Sequence, residues 1–164
     1  MRGESLNILN TDVVLAGLAD QLAARRERFE LVVVGGTALL ALRLVDRTTR
    51  DVNLPRDWLN AGPSSLLDLG VPEGFEARLE RRDYGTFLTI WFASRLDQIH
   101  FKLYALTDQG PGKHEQDLRA LDPTPSELLQ AARWTITHDP SEGFRRELLD
   151  ALAFFGVEDA DLGA

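Results

Sequence analysis

The chain has 164 residues, a formal net charge of −8 and no cysteine. Its length suits one domain able to bury roughly two-thirds of its unfolded surface. The charge argues against a surface coated in phosphate-binding residues, and the lack of thiols excludes disulfides, thiolate metal sites and cysteine nucleophiles.

Hydrophobic residues make up 44% and charged residues 27%, ordinary values for a globular protein. No apolar run approaches the roughly 18 residues of a membrane span. The opening MRGESLNILN lacks the charge, apolar core and cleavage site of a signal peptide. The expectation is a cytoplasmic protein without a membrane segment.

In chain order, Asp12 to Arg28 reads as a helix. Thr11 or Asp12 can cap it, Val13, Leu15, Leu18, Ala19 and Leu22 fall near helical spacing, and Arg25, Arg26 and Arg28 suit its C-terminal dipole. Leu31 to Val34 is a run of strand formers and predicts a buried strand, ended by Gly35-Gly36. Thr37 to Leu44 predicts a short helix. Asp51 to Leu54 reads as a very short strand cut by Pro55. The stretch to Gly74 is turn-rich, with one helical turn around Ser64 to Leu69.

Arg78 to Phe92 predicts a hairpin, its second strand within Thr86–Phe92 (TFLTIWF). Ser94 can cap a helix from Arg95 to about Thr107, which Gln109-Gly-Pro-Gly breaks. Lys113 to Leu121 is a further short helix. Thr124-Pro-Ser-Glu127 has the grammar of a capping box with proline at the first helical position. Asp139-Pro-Ser-Glu142 repeats that grammar before a helix from Phe144 to Phe155, which Gly156 can end. The pattern is α+β, a small mixed sheet followed by a helical C-terminal half. It reads as a single domain, 1–164, with the sheet-containing part at about 1–93 and the helical part at about 94–164.

Chemistry concentrates in VVVGGTALLALRLVDRTTRDVNLPRDW, Val32 to Trp58. A strand–Gly–Gly–Thr–helix unit sets backbone N–H groups at the end of a sheet, where glycine lets a phosphate come close. The same pair also serves as an ordinary tight turn. It is not a Walker A loop, since no Gly-Lys-Ser/Thr follows, and it lacks the third glycine of a dinucleotide fingerprint.

Thr48-Thr49-Arg50-Asp51-Val52-Asn53 follows. This order resembles the nucleotidyltransferase fold of the polymerase-beta-like superfamily, and most of all minimal members related to AbiEii-type toxins of toxin–antitoxin and phage-defence systems. The resemblance implies that Gly35, Gly36 and Thr37 cradle the triphosphate of an NTP. It implies that Asp51, with Asn53 in the place of a second acid, holds Mg²⁺. Carboxylates at i and i+2 of a strand share one face, and paired metal ions clamp attacking and leaving oxygens.

The segment Leu96 to Ala105, then His114-Glu-Gln-Asp117-Leu118, is similar to the same family's lysine-bearing helix and Asp-Leu segment. By that resemblance Lys102 contacts phosphate, and Asp117 orients it or acts near the base position. Read as plain chemistry, the two are a solvated helix lysine and a capping acid. Arg47 and Arg50 can bind phosphate through paired N–H groups, although Asp46, Asp51 and Asp57 offer simple ion pairing for them and for Arg43 and Arg56.

Two departures mark the match. Asn53 brings no charge to a cation, and Val52-Asn53 runs almost directly into Leu54-Pro55, so a block on the order of thirty residues is missing relative to the family. No third acid stands out, Asp97 reading as a helix-start acid. His100, His114 and His138 have no zinc spacing, and no Gly-x-Ser-x-Gly elbow supports a serine triad. Trp58, Trp91 and Trp134 read as core or groove-edge aromatics, Trp58 also as a base-stacking platform. The implied function is transfer of a nucleoside monophosphate from an NTP to RNA, tRNA being the attractive case, or to a protein, with a cognate antitoxin as partner. The alternative is a catalytically degenerate relative that binds a nucleotide or a partner.

Overall fold

A computed structural model describes residues 8–45 and 70–162, with only the backbone described for 8–10. Asp51, Asn53, Arg47, Arg50, Arg56 and Trp58, the predicted strand at Asp51–Leu54 and the predicted turn at Ser64–Leu69 lie outside the described residues. The fold is mixed α+β. It divides into two compact units, Met1–Ser94 and Arg95–Ala164.

The first unit contains α1 (Ile8–Arg25), β1 (Phe29–Val33), α2 (Gly36–Ala41), a 3-10 turn (Glu76–Arg78), β2 (Glu80–Tyr84) and β3 (Leu88–Phe92). The three strands lie in the order β1-β3-β2. β1 runs parallel to β3 and β2 antiparallel to it, in a register that sets Val33, Phe92 and Glu80 at one end of the sheet and Phe29, Leu88 and Tyr84 at the other. Side chains alternate across a strand. Leu88, Ile90 and Phe92 therefore share one face, and they pack with Leu15, Ala19 and Leu22 of α1 and Ala38 and Ala41 of α2.

Several boundaries differ from expectation. α1 begins at Ile8, so Thr11 and Asp12 sit inside it rather than capping it, and Thr11 is buried. Val13 is off the packed face and 68% exposed. α1 stops at Arg25, not Arg28, because Arg26 takes a left-handed φ of 57°. Arg26 N–H donates to Ala23 O and Glu27 N–H to Leu22 O, each at 3.1 Å, a Schellman stop. α2 ends the same way, at Ala41 rather than Leu44, with Arg43 at φ 58° and Leu44 N–H on Leu39 O at 2.8 Å. β1 is not a buried strand. It lies at an edge of the described sheet, and Val32 is 48% exposed because the described helices pack on the face of Leu88, Ile90 and Phe92, opposite Val32.

The second unit contains α3 (Arg95–Gln109), α4 (Lys113–Ala120), α5 (Pro125–Thr135) and α6 (Glu142–Phe154). α3 is its centre, packing against each of the other helices. Ile99 and Leu103 of α3, Leu118 of α4, Leu128 of α5, and Leu148 and Leu152 of α6 are fully buried. The Thr124 box forms in full. The Thr124 hydroxyl accepts from Glu127 N–H, and the Glu127 carboxylate accepts from Thr124 N–H at 2.8 Å. The second start differs. Ser141, not Asp139, caps α6, its hydroxyl accepting from Phe144 N–H. Asp139 instead accepts from Ser141 N–H at 2.9 Å, a local turn that consumes the carboxylate before the helix starts. Gly156, at φ 80°, ends α6 with Val157 N–H on Leu152 O.

Candidate functional site

The first part of the candidate site is the turn after β1. Gly35 has φ 71° and ψ −150°, a backbone conformation that side chains resist. A Cβ at Gly35 would meet nothing within 4 Å, so backbone torsion rather than crowding demands glycine here. Gly36 and Thr37 open α2, and all three residues are half-buried. Gly35 caps α2 without a side chain, and its carbonyl accepts from Leu39 N–H at 3.0 Å. The turn therefore lies at the carboxyl end of a strand in a parallel pair, the end where open α/β sheets receive ligands.

The far end of α2 is held by a residue that sequence reasoning passed over. Arg82 Nη1 donates to Ala41 O at 2.8 Å, and its guanidinium lies 5.4 Å from the centre of the Phe92 ring. Arg82 pairs with Ile90 across the hairpin, so the alternation that turns Ile90 inward also turns Arg82 inward. That alternation was the available signal. Beside it, Tyr84 donates its hydroxyl to Asp12 of α1 at 3.0 Å. Burial, and then the Asp12 carboxylate, push the Tyr84 hydroxyl above its usual pKa. A shallow groove beside Ala16, Asp20, Tyr84 and Thr86 lies toward the other end of the sheet and contains none of the predicted site residues.

The predicted pair of the second unit does come together. Lys102 Nζ lies 2.8 Å from Asp117 Oδ2, with the two side chains only 7% and 0% exposed. Neither is the solvated lysine or the exposed capping acid of a plain surface reading. α3 projects Lys102 inward because Ile99, Leu103 and Leu106 occupy the same buried side of the helix, and α4 brings Asp117 beside Leu118. Asp97, Gln98 and His100 are also buried on α3, and His100 Nδ1, 2.8 Å from Leu96 O, must carry the proton of that bond because a carbonyl only accepts. Nearby, Arg95 clamps the α4–α5 connection. It donates to Leu121 O at 2.9 Å, Asp122 O at 2.7 Å and Glu127 Oε1 at 2.6 Å.

Among the described residues, no group of three or more His, Asp or Glu side chains is placed to hold a metal ion. Asp51 and Asn53, the expected Mg²⁺ ligands, lie outside those residues. Among the described residues no helix is long and apolar enough to cross a membrane. Comparison with family models, curated proteins and solved structures finds no match.

Proposed function

We propose that the protein is nucleotidyltransferase-like, seating the phosphates of an NTP at Gly35, Gly36 and Thr37 and passing a nucleoside monophosphate to RNA or to a protein. The observation that carries this reading is the glycine-only backbone of Gly35 between the carboxyl end of β1 and the start of α2. Phosphate recognition through backbone N–H groups needs that close approach. Asp51 would be the metal-holding residue, with Arg47 and Arg50 neutralising phosphate charge. Asn53 would add a neutral amide oxygen beside Asp51, and Mg²⁺ held there would supply charge neutralisation at the phosphates. A toxin–antitoxin or phage-defence setting, with a cognate antitoxin, belongs to this same proposal.

A second reading has its own support. The Lys102 charge is already matched by Asp117 at 2.8 Å in a buried setting, which suits a lysine that holds the helical unit together. With Asn53 in place of an acid, this favours a degenerate relative that binds a nucleotide or a partner without turnover. Labelled NTPs incubated with Mg²⁺ and total RNA or co-expressed protein separate the two readings. Transfer that disappears in Asp51→Ala supports the enzyme. Thermal stabilisation by NTP without transfer supports the binding module, and transfer gained only in Asn53→Asp identifies a decayed catalyst. Neither transfer nor stabilisation by any NTP removes the enzyme and the nucleotide-binding module, leaving a partner-binding one.

A further inference from the structure

The connection between α5 and α6 turns sharply. The Thr137 hydroxyl donates to Trp134 O at 2.7 Å, and His138 N–H donates to Thr135 O at 3.2 Å. The His138 ring lies 4.4 Å from the Trp134 ring of α5 and 5.6 Å from the Tyr104 ring of α3, nearly perpendicular to both. Tyr104 in turn meets Trp134 at 6.2 Å and Phe144 of α6 at 6.0 Å. Three helices thus converge on one aromatic cluster that includes the histidine ring. Nε2 of His138 is buried there and has no hydrogen-bond partner.

We propose that this corner is a pH-operated latch: neutral His138 seals the cluster joining α3, α5 and α6, and protonated His138 releases the start of α6. With its one proton on Nδ1, the neutral ring buries an unprotonated Nε2 at modest cost. A proton on Nε2 creates a charged donor with no acceptor, which bears the full desolvation penalty unless the corner opens to water. The groups facing the ring do not remove that penalty. α5 contributes Trp134 against the ring and α6 contributes Phe144 against Tyr104, and neither titrates. α3 contributes Tyr104, held protonated by burial and then by the Asp108 and Asp139 carboxylates, while His100 lies on the Trp134 ring. Asp139, on the connection itself, is held by Ser141 N–H, which keeps it charged and committed to the turn before α6.

Burial holds His138 below its ordinary 6.5. The folded state therefore binds fewer protons than the unfolded state. The stabilisation is full above 6.5 and is lost as pH falls toward the folded value.

The test follows the His138 imidazole by NMR in the full chain, together with amide exchange at Phe144 and Arg145, whose N–H groups bond to Ser141. The ring is expected to half-titrate below 6.5. Exchange at those amides, corrected for intrinsic rate, should rise about tenfold from about pH 7.5 to 5.5, and His138→Phe should abolish the rise. Titration at or above 6.5 overturns the proposal, as does the same rise in His138→Phe. If that variant does not fold, the wild-type titration decides alone.

Discussion

In the sheet unit, Arg81 and Asp83 meet at 3.0 Å with side chains 56% and 51% exposed, and Arg82 lies 4.0 Å from a half-exposed Asp12. In the helical unit, Lys102 and Asp117 meet at 2.8 Å with both side chains buried. The distances are alike, but the energetics differ. Exposed ions keep their hydration and are screened by salt, so the Arg81–Asp83 contact contributes little. Buried ions have lost their hydration, and each depends on the other. The helical unit is therefore the place where a change of one charge has the larger effect, whether or not Lys102 also meets a phosphate.

Breaking the buried pair is the strongest way to test that contrast. Lys102→Met or Asp117→Leu alone should each cost about 3–5 kcal/mol. The double change should recover most of the loss, because it removes both desolvation penalties. Urea unfolding reads all three values, and Arg81→Ala in the sheet unit should leave the midpoint nearly unchanged. Equal losses at the two pairs would erase the distinction.

A smaller effect concerns acid. Hydrogen bonds from Arg95, then those from Thr124, hold the Glu127 carboxyl below its ordinary 4.5. The folded state thus favours the charged form. Its contribution is present above 4.5 and is lost as pH falls through the folded value. Glu127→Gln should flatten the acid limb of a stability–pH profile. Asp83 is also lowered, by the Thr89 hydroxyl and then by Arg81, but it is half-exposed and its partners are screened by water, so Asp83→Asn should leave that limb close to wild type.

The smallest effect sharpens a difference in how helices end. α6 stops on Gly156, whereas α1 and α2 stop on arginines held at positive φ. A side chain in that region costs about 1–2 kcal/mol, partly offset by the chain entropy of glycine. Arg26→Gly should therefore stabilise by about 0.5 kcal/mol, and Gly156→Ala should destabilise by about 1 kcal/mol, both measurable by thermal unfolding.

These stops explain much of what the sequence hid. A Gly156 stop is written in the chain, as is the Thr124 box, because each needs a particular residue type at a fixed offset. An arginine stop has no such mark, and α1 reads too long for that reason. The Asp139 start misleads in the other direction. Its Asp-Pro-Ser-Glu pattern satisfies the capping rule twice over, and only the turn formed by Ser141 N–H decides between the two caps. Within the candidate site, the glycine turn was legible because positive φ demands glycine. The inward reach of Arg82 was half legible: alternation along the hairpin sets it apart from Arg81 and Asp83, but which face is inward depends on the residue opposite Ile90.

What the sequence determined by itself is local. It marked the order of helices and strands, the Gly35 turn, the hairpin before Phe92 and the capping box at Thr124, all set by interactions between near neighbours in the chain. The tertiary structure decided which faces are covered and which charges lose water. It set β1 at an edge and left Val32 half-exposed, and it closed α4 on α3 so that Lys102 and Asp117 neutralise each other. Burial is a property of what packs from afar, and no spacing along the chain encodes it.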